Sequence, residues 1–89
     1  MGRYLIELPH KPEECLQIMD DVQTQSPQML AEYEWGCAGG RHSAWVTVEA
    51  ENNWSAGQMV PSSWRARLRC IAVKKFSPEQ IKAFQERGL

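Results

Sequence analysis

Two residues near the middle of the chain, Cys37 and His42, are of types that commonly bind metals in proteins. Thiolate and imidazole are good ligands for zinc, nickel or copper. A turn predicted at Gly39-Gly40 lies between them, so the two side chains could approach each other. Two ligands do not complete a site, and a further one must come from His10, Cys15, a carboxylate or a second subunit. The same pair could also act as nucleophile and base, although no residue that would orient His42 is identifiable.

Aromatic residues close to the same turn indicate a second kind of site, for a planar organic molecule. Tyr33 and Trp45 would supply apolar walls with polar tips. His10 follows Pro9 at the end of a predicted strand and could serve as a general base at a pocket mouth. The predicted ligand-binding residues are therefore His42, Cys37, Tyr33, Trp45 and His10. In a regular strand His42 and Trp45 would point to opposite faces, and core or interface packing explains the aromatic residues equally well.

Alternating apolar residues predict the strands that would position these groups. Residues 3–8 form the first strand, the runs 33–37 and 44–50 form a hairpin about the glycine pair, and residues 67–76 form the last strand. The alternation places five residues in the interior: Ile6, Val46, Val48, Cys70 and Ala72.

The spacing of apolar residues between and after the strands predicts helices. A helix that starts near Pro12 carries the apolar stripe of Ile18 and Val22, and a short helical piece follows over 28–32. A second helix begins at Asn52 or Asn53 and ends or bends at Pro61. The final helix, 77–87, has a capping box at its start and a glycine at its C-cap.

The order of these elements is that of an α+β fold with a ferredoxin-like βαββαβ antiparallel sheet, helices on one face and an appended C-terminal helix. A chain of 89 residues has room for a single domain, 1–89. The first strand is apolar on both faces, because the consecutive residues Leu5 and Ile6 point to opposite sides of the sheet. The uncovered face predicts a homodimer in which a second sheet packs against the first.

The composition excludes several classes of partner. A net charge of −1 gives no field that favours nucleic acid, and no apolar run approaches the roughly 20 residues that cross a membrane. The N-terminal residues lack a signal peptide's apolar stretch. The three cysteines are an odd, widely spaced set, which predicts reduced thiols and a cytoplasmic protein. No cofactor is predicted.

One pattern in the chain resembles a pattern found in short, uncharacterised prokaryotic proteins, a group without an established activity. It consists of Trp35-Gly36-Cys37, then His42 after four residues and Trp45 after two more. The opening residues 4–10 and the closing residues 75–79 are also similar, so the likeness covers nearly the whole chain. In architecture the chain resembles the dimeric α+β barrel proteins, which include cofactor-free monooxygenases, isomerases and polyketide cyclases. This second resemblance rests on the fold alone.

Three functions follow as hypotheses. The first is a small-molecule binding domain or cofactor-free enzyme that acts on an aromatic or polyketide-like compound in the cleft between helices and sheet. The second is a metal-binding protein that uses His42, Cys37 and a further ligand such as His10. The third is a structural or interaction module without pocket chemistry.

Overall fold

Four antiparallel strands form one sheet in the computed structural model, which describes residues 1–88. In chain order the strands are β1 (Gly2–Pro9), β2 (Glu34–Trp35), β3 (Ser43–Ala50) and β4 (Arg69–Ala72). Their order across the sheet is β2-β3-β1-β4, so β1 and β3 are the central pair. The α+β class with an antiparallel sheet is therefore confirmed.

Three α-helices accompany the sheet: α1 (Cys15–Gln25), α2 (Asn53–Gly57) and α3 (Pro78–Arg87). The predicted caps are present, because the Asn52 side chain accepts a hydrogen bond from the Ser55 amide and Ser77 forms a capping box with Gln80. Gly88 ends α3 with a positive φ of 85°. Among residues 1–88, no helix has the length and apolar character that crossing a bilayer requires.

The core lies on one face of the sheet. Alternate residues of β1 and β3 point inward, and Ile18 and Val22 of α1 pack against them with no exposed surface. The buried set confirms the prediction for Ile6, Val46 and Val48. Cys70 is only half-buried against this core. Ala72 is exposed, so its predicted burial is wrong, because it is the last residue of an edge strand.

Two strands are shorter than their sequence patterns predict. Residues Ser62–Arg67 form a 3₁₀ turn that buries Trp64, and β4 therefore begins only at Arg69. Cys37 also lies outside its predicted strand, in a 3₁₀ turn over Cys37–Gly39. In the first case the preceding turn buries the large indole, and β4 also ends at Ala72, four residues before its predicted end. In the second, hydrogen bonds close the chain into a turn immediately after β2.

The other face of the sheet is not covered by helices. Leu5, Trp45 and Ile71 lie there and border a shallow pocket of about 290 Å³. The Ile71 side chain is largely exposed, and none of the ten residues of α3 is buried. This face is the one that the predicted second copy would cover, and the homodimer stays a prediction.

Candidate metal centre

Four side chains of the types that bind metals in proteins meet at one end of the sheet. His10, Cys15, Cys37 and His42 each contribute one ligand atom, and these four atoms all lie within 4.8 Å of one another. The His10 Nε2 atom is 3.2 Å from the Cys37 Sγ atom. The Cys15 Sγ atom is 3.1 Å from the His42 Nδ1 atom. The cluster therefore consists of two close histidine–cysteine pairs.

Strand pairing brings the two histidines together. The last residue pair of β1 and β3 is Pro9 with Ser43, and one further backbone hydrogen bond runs from the His10 amide to the His42 carbonyl, at 3.0 Å. The two imidazole rings consequently lie with their centroids 6.3 Å apart. The central strand pairing of the fold thus sets the distance between these residues.

A tight turn after β1 carries the chain from His10 to Cys15. Residues Pro12–Glu14 form one 3₁₀ turn, and the Glu14 carboxylate accepts a hydrogen bond of 2.8 Å from the Lys11 amide. Cys15 is the first residue of α1. The turn therefore folds its thiol back toward the end of β1.

A second tight turn carries the chain from Cys37 to His42. The Gly36 carbonyl accepts hydrogen bonds from the Gly39 and Arg41 amides, both at 3.0 Å. A Cβ atom on Gly36 would lie 2.5 Å from the Arg41 carbonyl oxygen and 2.8 Å from the Trp45 ring. Only glycine leaves room for this approach of backbone to backbone.

The hydrogen bonds of His10 assign its ring nitrogens. Its Nδ1 atom lies 3.1 Å from the Leu8 carbonyl oxygen, which only accepts hydrogen bonds, so Nδ1 carries the proton. In the neutral ring the Nε2 lone pair then points at Cys37. A ligating histidine that donates its other nitrogen to a carbonyl is the usual arrangement in metal sites. His10 is also buried, which fixes the ring.

Trp64 packs next to the cluster and connects it to an ion pair. Its ring meets the His10 ring edge-on, with centroids 6.5 Å apart, and its Nε1 atom donates to Asp21 at 2.8 Å. The Arg67 guanidinium lies over the Trp64 ring and forms two hydrogen bonds to Glu14. Those bonds hold the pKa of Glu14 at about 2, well below its usual value. Glu14 therefore remains a carboxylate that anchors the turn before Cys15.

The protonation of Cys37 distinguishes a metal ligand from a nucleophile. Burial, and then the neighbouring Cys15 thiol, raise the pKa of Cys37. A catalytic cysteine has the opposite shift, because its environment stabilises the thiolate. A metal ion would have to replace the thiol proton of Cys37 on binding, which makes metal affinity depend on pH. The raised pKa of Cys37 therefore argues against an activated nucleophile.

The separations in the cluster can be compared with those in a tetrahedral zinc site. Zinc takes Zn–S bonds of about 2.3 Å and Zn–N bonds of about 2.0–2.1 Å, which sets the ligand atoms about 3.3–3.8 Å apart. The two histidine–cysteine distances are 3.2 and 3.1 Å, and no ligand atom is more than 4.8 Å from another. The largest separation is therefore at most about 1 Å longer than the separations in a zinc site.

Three of the five predicted ligand-binding residues, His42, Cys37 and His10, belong to this cluster. Tyr33 is buried in the core, where its ring stacks on Trp35 with centroids 5.6 Å apart. Trp45 lies on the uncovered face of the sheet and covers Gly36. The sequence alone leaves Cys15 as one of several candidates for the further ligand. The mirror-image spacing, five residues from His10 to Cys15 and five from Cys37 to His42, is the signal that would have selected it.

The buried hydroxyl of Tyr33 is expected to lower the stability of the fold. Its hydroxyl is buried and finds no hydrogen-bond partner among residues 1–88, and burial raises its pKa from 10.0 to about 12. Since an unpaired buried hydroxyl costs about 1–3 kcal/mol, we expect Tyr33→Phe to raise the free energy of unfolding by about 1 kcal/mol. The raised pKa also predicts that the wild-type protein loses stability as the pH rises from 10 toward 12.

Urea denaturation at neutral and alkaline pH measures both effects. Tyr4→Phe is the control for loss of a phenolic hydroxyl. A Tyr33→Phe variant that is less stable than wild type by 1 kcal/mol or more would mean that the hydroxyl has a partner in solution.

The cleft between helices and sheet is filled by the core. Ile6, Leu8 and Ile18 are fully buried there, so this packing gives no support to a small molecule bound in the cleft. Comparison of the chain with protein-family models, with curated proteins and with solved structures found no match. The resemblance to short prokaryotic proteins therefore stays a prediction from the residues.

Proposed function

We propose that this protein binds one Zn²⁺ ion through His10, Cys15, Cys37 and His42, and that the ion stabilises the fold. The observation that carries the proposal is the convergence of four ligand atoms within 4.8 Å. Two thiolates and two imidazoles form a recognised zinc ligand set. Zinc sites with four protein ligands are closed and structural, whereas catalytic sites keep an open position. The proposed role is therefore structural.

The supporting details all concern how the ligands are held. Leu8 orients His10 through its carbonyl oxygen, and Gly36 shapes the turn that carries Cys37 and His42. The ligands come from three separate places: the segment after β1, the start of α1 and the turn before β3. One ion would close loops among them, which a chain with a small core needs more than a large one.

Metal titration of the purified protein tests the proposal. We expect one zinc per chain in the native mass spectrum and an apparent binding free energy of about 10–16 kcal/mol at pH 7 by competition with a chelator. Substituted Co²⁺ should give the visible bands of a tetrahedral site with thiolate ligands. Wild-type protein that takes up no metal would refute the proposal.

Single-residue variants assign the ligands. His10→Ala, His42→Ala and Cys37→Ser should each weaken zinc binding by about 100-fold or more, since even residues that only support a ligand contribute 10–100-fold. Cys70→Ala is the matched control, because Cys70 is a half-buried cysteine on β4 outside the cluster. Equal zinc affinity in His10→Ala and wild type would remove His10 from the ligand set.

We also propose the ferredoxin-like class for the fold. The strand order β2-β3-β1-β4 supports it, as does the single core between one face of the sheet and α1 with α2. The helix α3 is then the appended element.

A further inference from the structure

The two sulfur atoms of the cluster are close enough to have a second chemistry besides metal binding. The Cys15 and Cys37 Sγ atoms lie within 4.8 Å of each other, although the residues are 22 positions apart in the chain. All three cysteines are free thiols in the structure. The third, Cys70, is not part of the cluster. Only one pair of the three cysteines is therefore placed for bond formation.

We propose that Cys15 and Cys37 form a reversible disulfide that competes with zinc, so that thiol oxidation releases the metal. This inference rests on the proposed zinc site and names its regulation. Both thiols are half-buried, which leaves them open to a small oxidant. A disulfide removes both sulfur ligands and leaves His10 and His42, too few to hold zinc in a closed site.

Low-molecular-weight disulfides, such as oxidised glutathione, are the co-reactant class. A thiolate of one cysteine attacks the glutathione disulfide, which forms a mixed disulfide and releases one reduced glutathione. The second cysteine then attacks the protein sulfur of that mixed disulfide. The Cys15–Cys37 bond forms and the second glutathione leaves as a thiolate. In the metal-free protein the two cysteine protons end on the two glutathione thiols. From the zinc-loaded protein the zinc ion leaves instead, and the two glutathione thiolates take their protons from solvent. Two protein thiols are oxidised and one glutathione disulfide is reduced.

The geometry of the cluster makes the second step of this thiol–disulfide exchange intramolecular. The attacking sulfur of the second step is already held beside its target by the two turns, so formation of the intramolecular bond has a high effective concentration. The sulfur atoms must approach to about 2.05 Å, which requires a movement of a few ångströms at most. Cys15 begins a helix and Cys37 lies in a three-residue turn, so neither residue is held in the middle of a helix or strand.

Oxidation of the full-length protein tests the inference. Zinc is first titrated into the reduced protein, which decides the proposed function independently. The loaded and metal-free forms are then equilibrated with glutathione buffers of increasing oxidised fraction. We expect release of one zinc per chain, detected with a chromogenic chelator, together with a loss of two hydrogens in the intact mass. Metal-free protein should oxidise in more reducing buffers than zinc-loaded protein, because zinc protects its thiolates.

Peptide mapping identifies the bond. Cleavage after glutamate separates the two cysteines into peptides 15–32 and 35–49, which remain linked only through a Cys15–Cys37 disulfide. Cys70→Ala should give the same linked peptides and the same zinc release. Cys37→Ser should give none. Reducing agent should restore zinc binding in full.

Three results would overturn the inference while leaving zinc binding intact. They are oxidation that stops at glutathione adducts, a disulfide that involves Cys70, and a Cys15–Cys37 disulfide in protein that retains its zinc. A failure to bind zinc in the first titration would instead refute the proposed function and the inference with it. The two failures are therefore distinguishable.

Discussion

Saturating zinc is expected to raise the unfolding midpoint of the metal-free protein by about 15–30 °C. A ligand that binds only the folded chain, at a free concentration of 1,000 times its Kd, stabilises it by about 4 kcal/mol. For a domain of this size each kcal/mol shifts the midpoint by about 4–8 °C. The shift should be large because the ligands join segments that the core alone holds together weakly.

Differential scanning calorimetry of apo and zinc-loaded protein measures this shift. Cys15→Ser and Cys37→Ser should lose most of it at the same zinc concentration, whereas Cys70→Ala should keep it, since Cys70 contributes only packing. Equal midpoints with and without zinc, in protein shown to bind one ion, would mean that the site does not stabilise the fold. The structural role proposed for the metal would then be wrong.

Substitution of Gly36 by alanine is expected to damage the fold and the metal site together. The added methyl group would lie 2.5 Å from the Arg41 carbonyl oxygen and 2.8 Å from the Trp45 ring. Overpacking of this kind costs about 1–3 kcal/mol, and here the groups that must move include backbone. Arg41 adjoins His42, and Gly36 adjoins Cys37, so we also expect zinc affinity to fall by about tenfold or more.

Gly39→Ala provides a control in the same turn. A Cβ atom at Gly39 would meet no atom within 4 Å among the described residues, and its φ is not in the left-handed region. Urea denaturation should therefore show a change of less than about 0.5 kcal/mol, with zinc affinity unchanged. If Gly36→Ala and Gly39→Ala behave alike, the close approach at Gly36 does not shape the site.

Local patterns predicted the elements whose signals are short-range. The capping box of Ser77 and Gln80 identified α3, and alternation identified β1, β3 and the inward position of Ile6. These signals depend on hydrogen bonds and side-chain directions within a few residues, so the sequence carries them in full. Alternation also overextended β4 at both ends, because the preceding turn runs to Arg67 and the strand stops at Ala72, and pairing with β1 decides both limits.

The sequence by itself determined which residues could bind a metal, since only a few side chains offer nitrogen or sulfur ligands. It named Cys37, His42 and His10 and left the completing ligand open among Cys15, a carboxylate and a second subunit. Spacing along the chain could not choose between them. Histidines 32 residues apart become neighbours only through the register of two strands, and a slip of one residue would reverse the direction of every side chain.

Tertiary structure alone decided that four possible metal ligands meet within one chain. The pairing of Pro9 with Ser43 places the ends of β1 and β3 side by side, and the two tight turns then direct Cys15 and Cys37 to the same point. It also separated Tyr33 and Trp45 from that point, because one faces the core and the other lies on the uncovered face of the sheet. The physical reason is that a composite site depends on strand register and turn closure, which are properties of the folded chain as a whole.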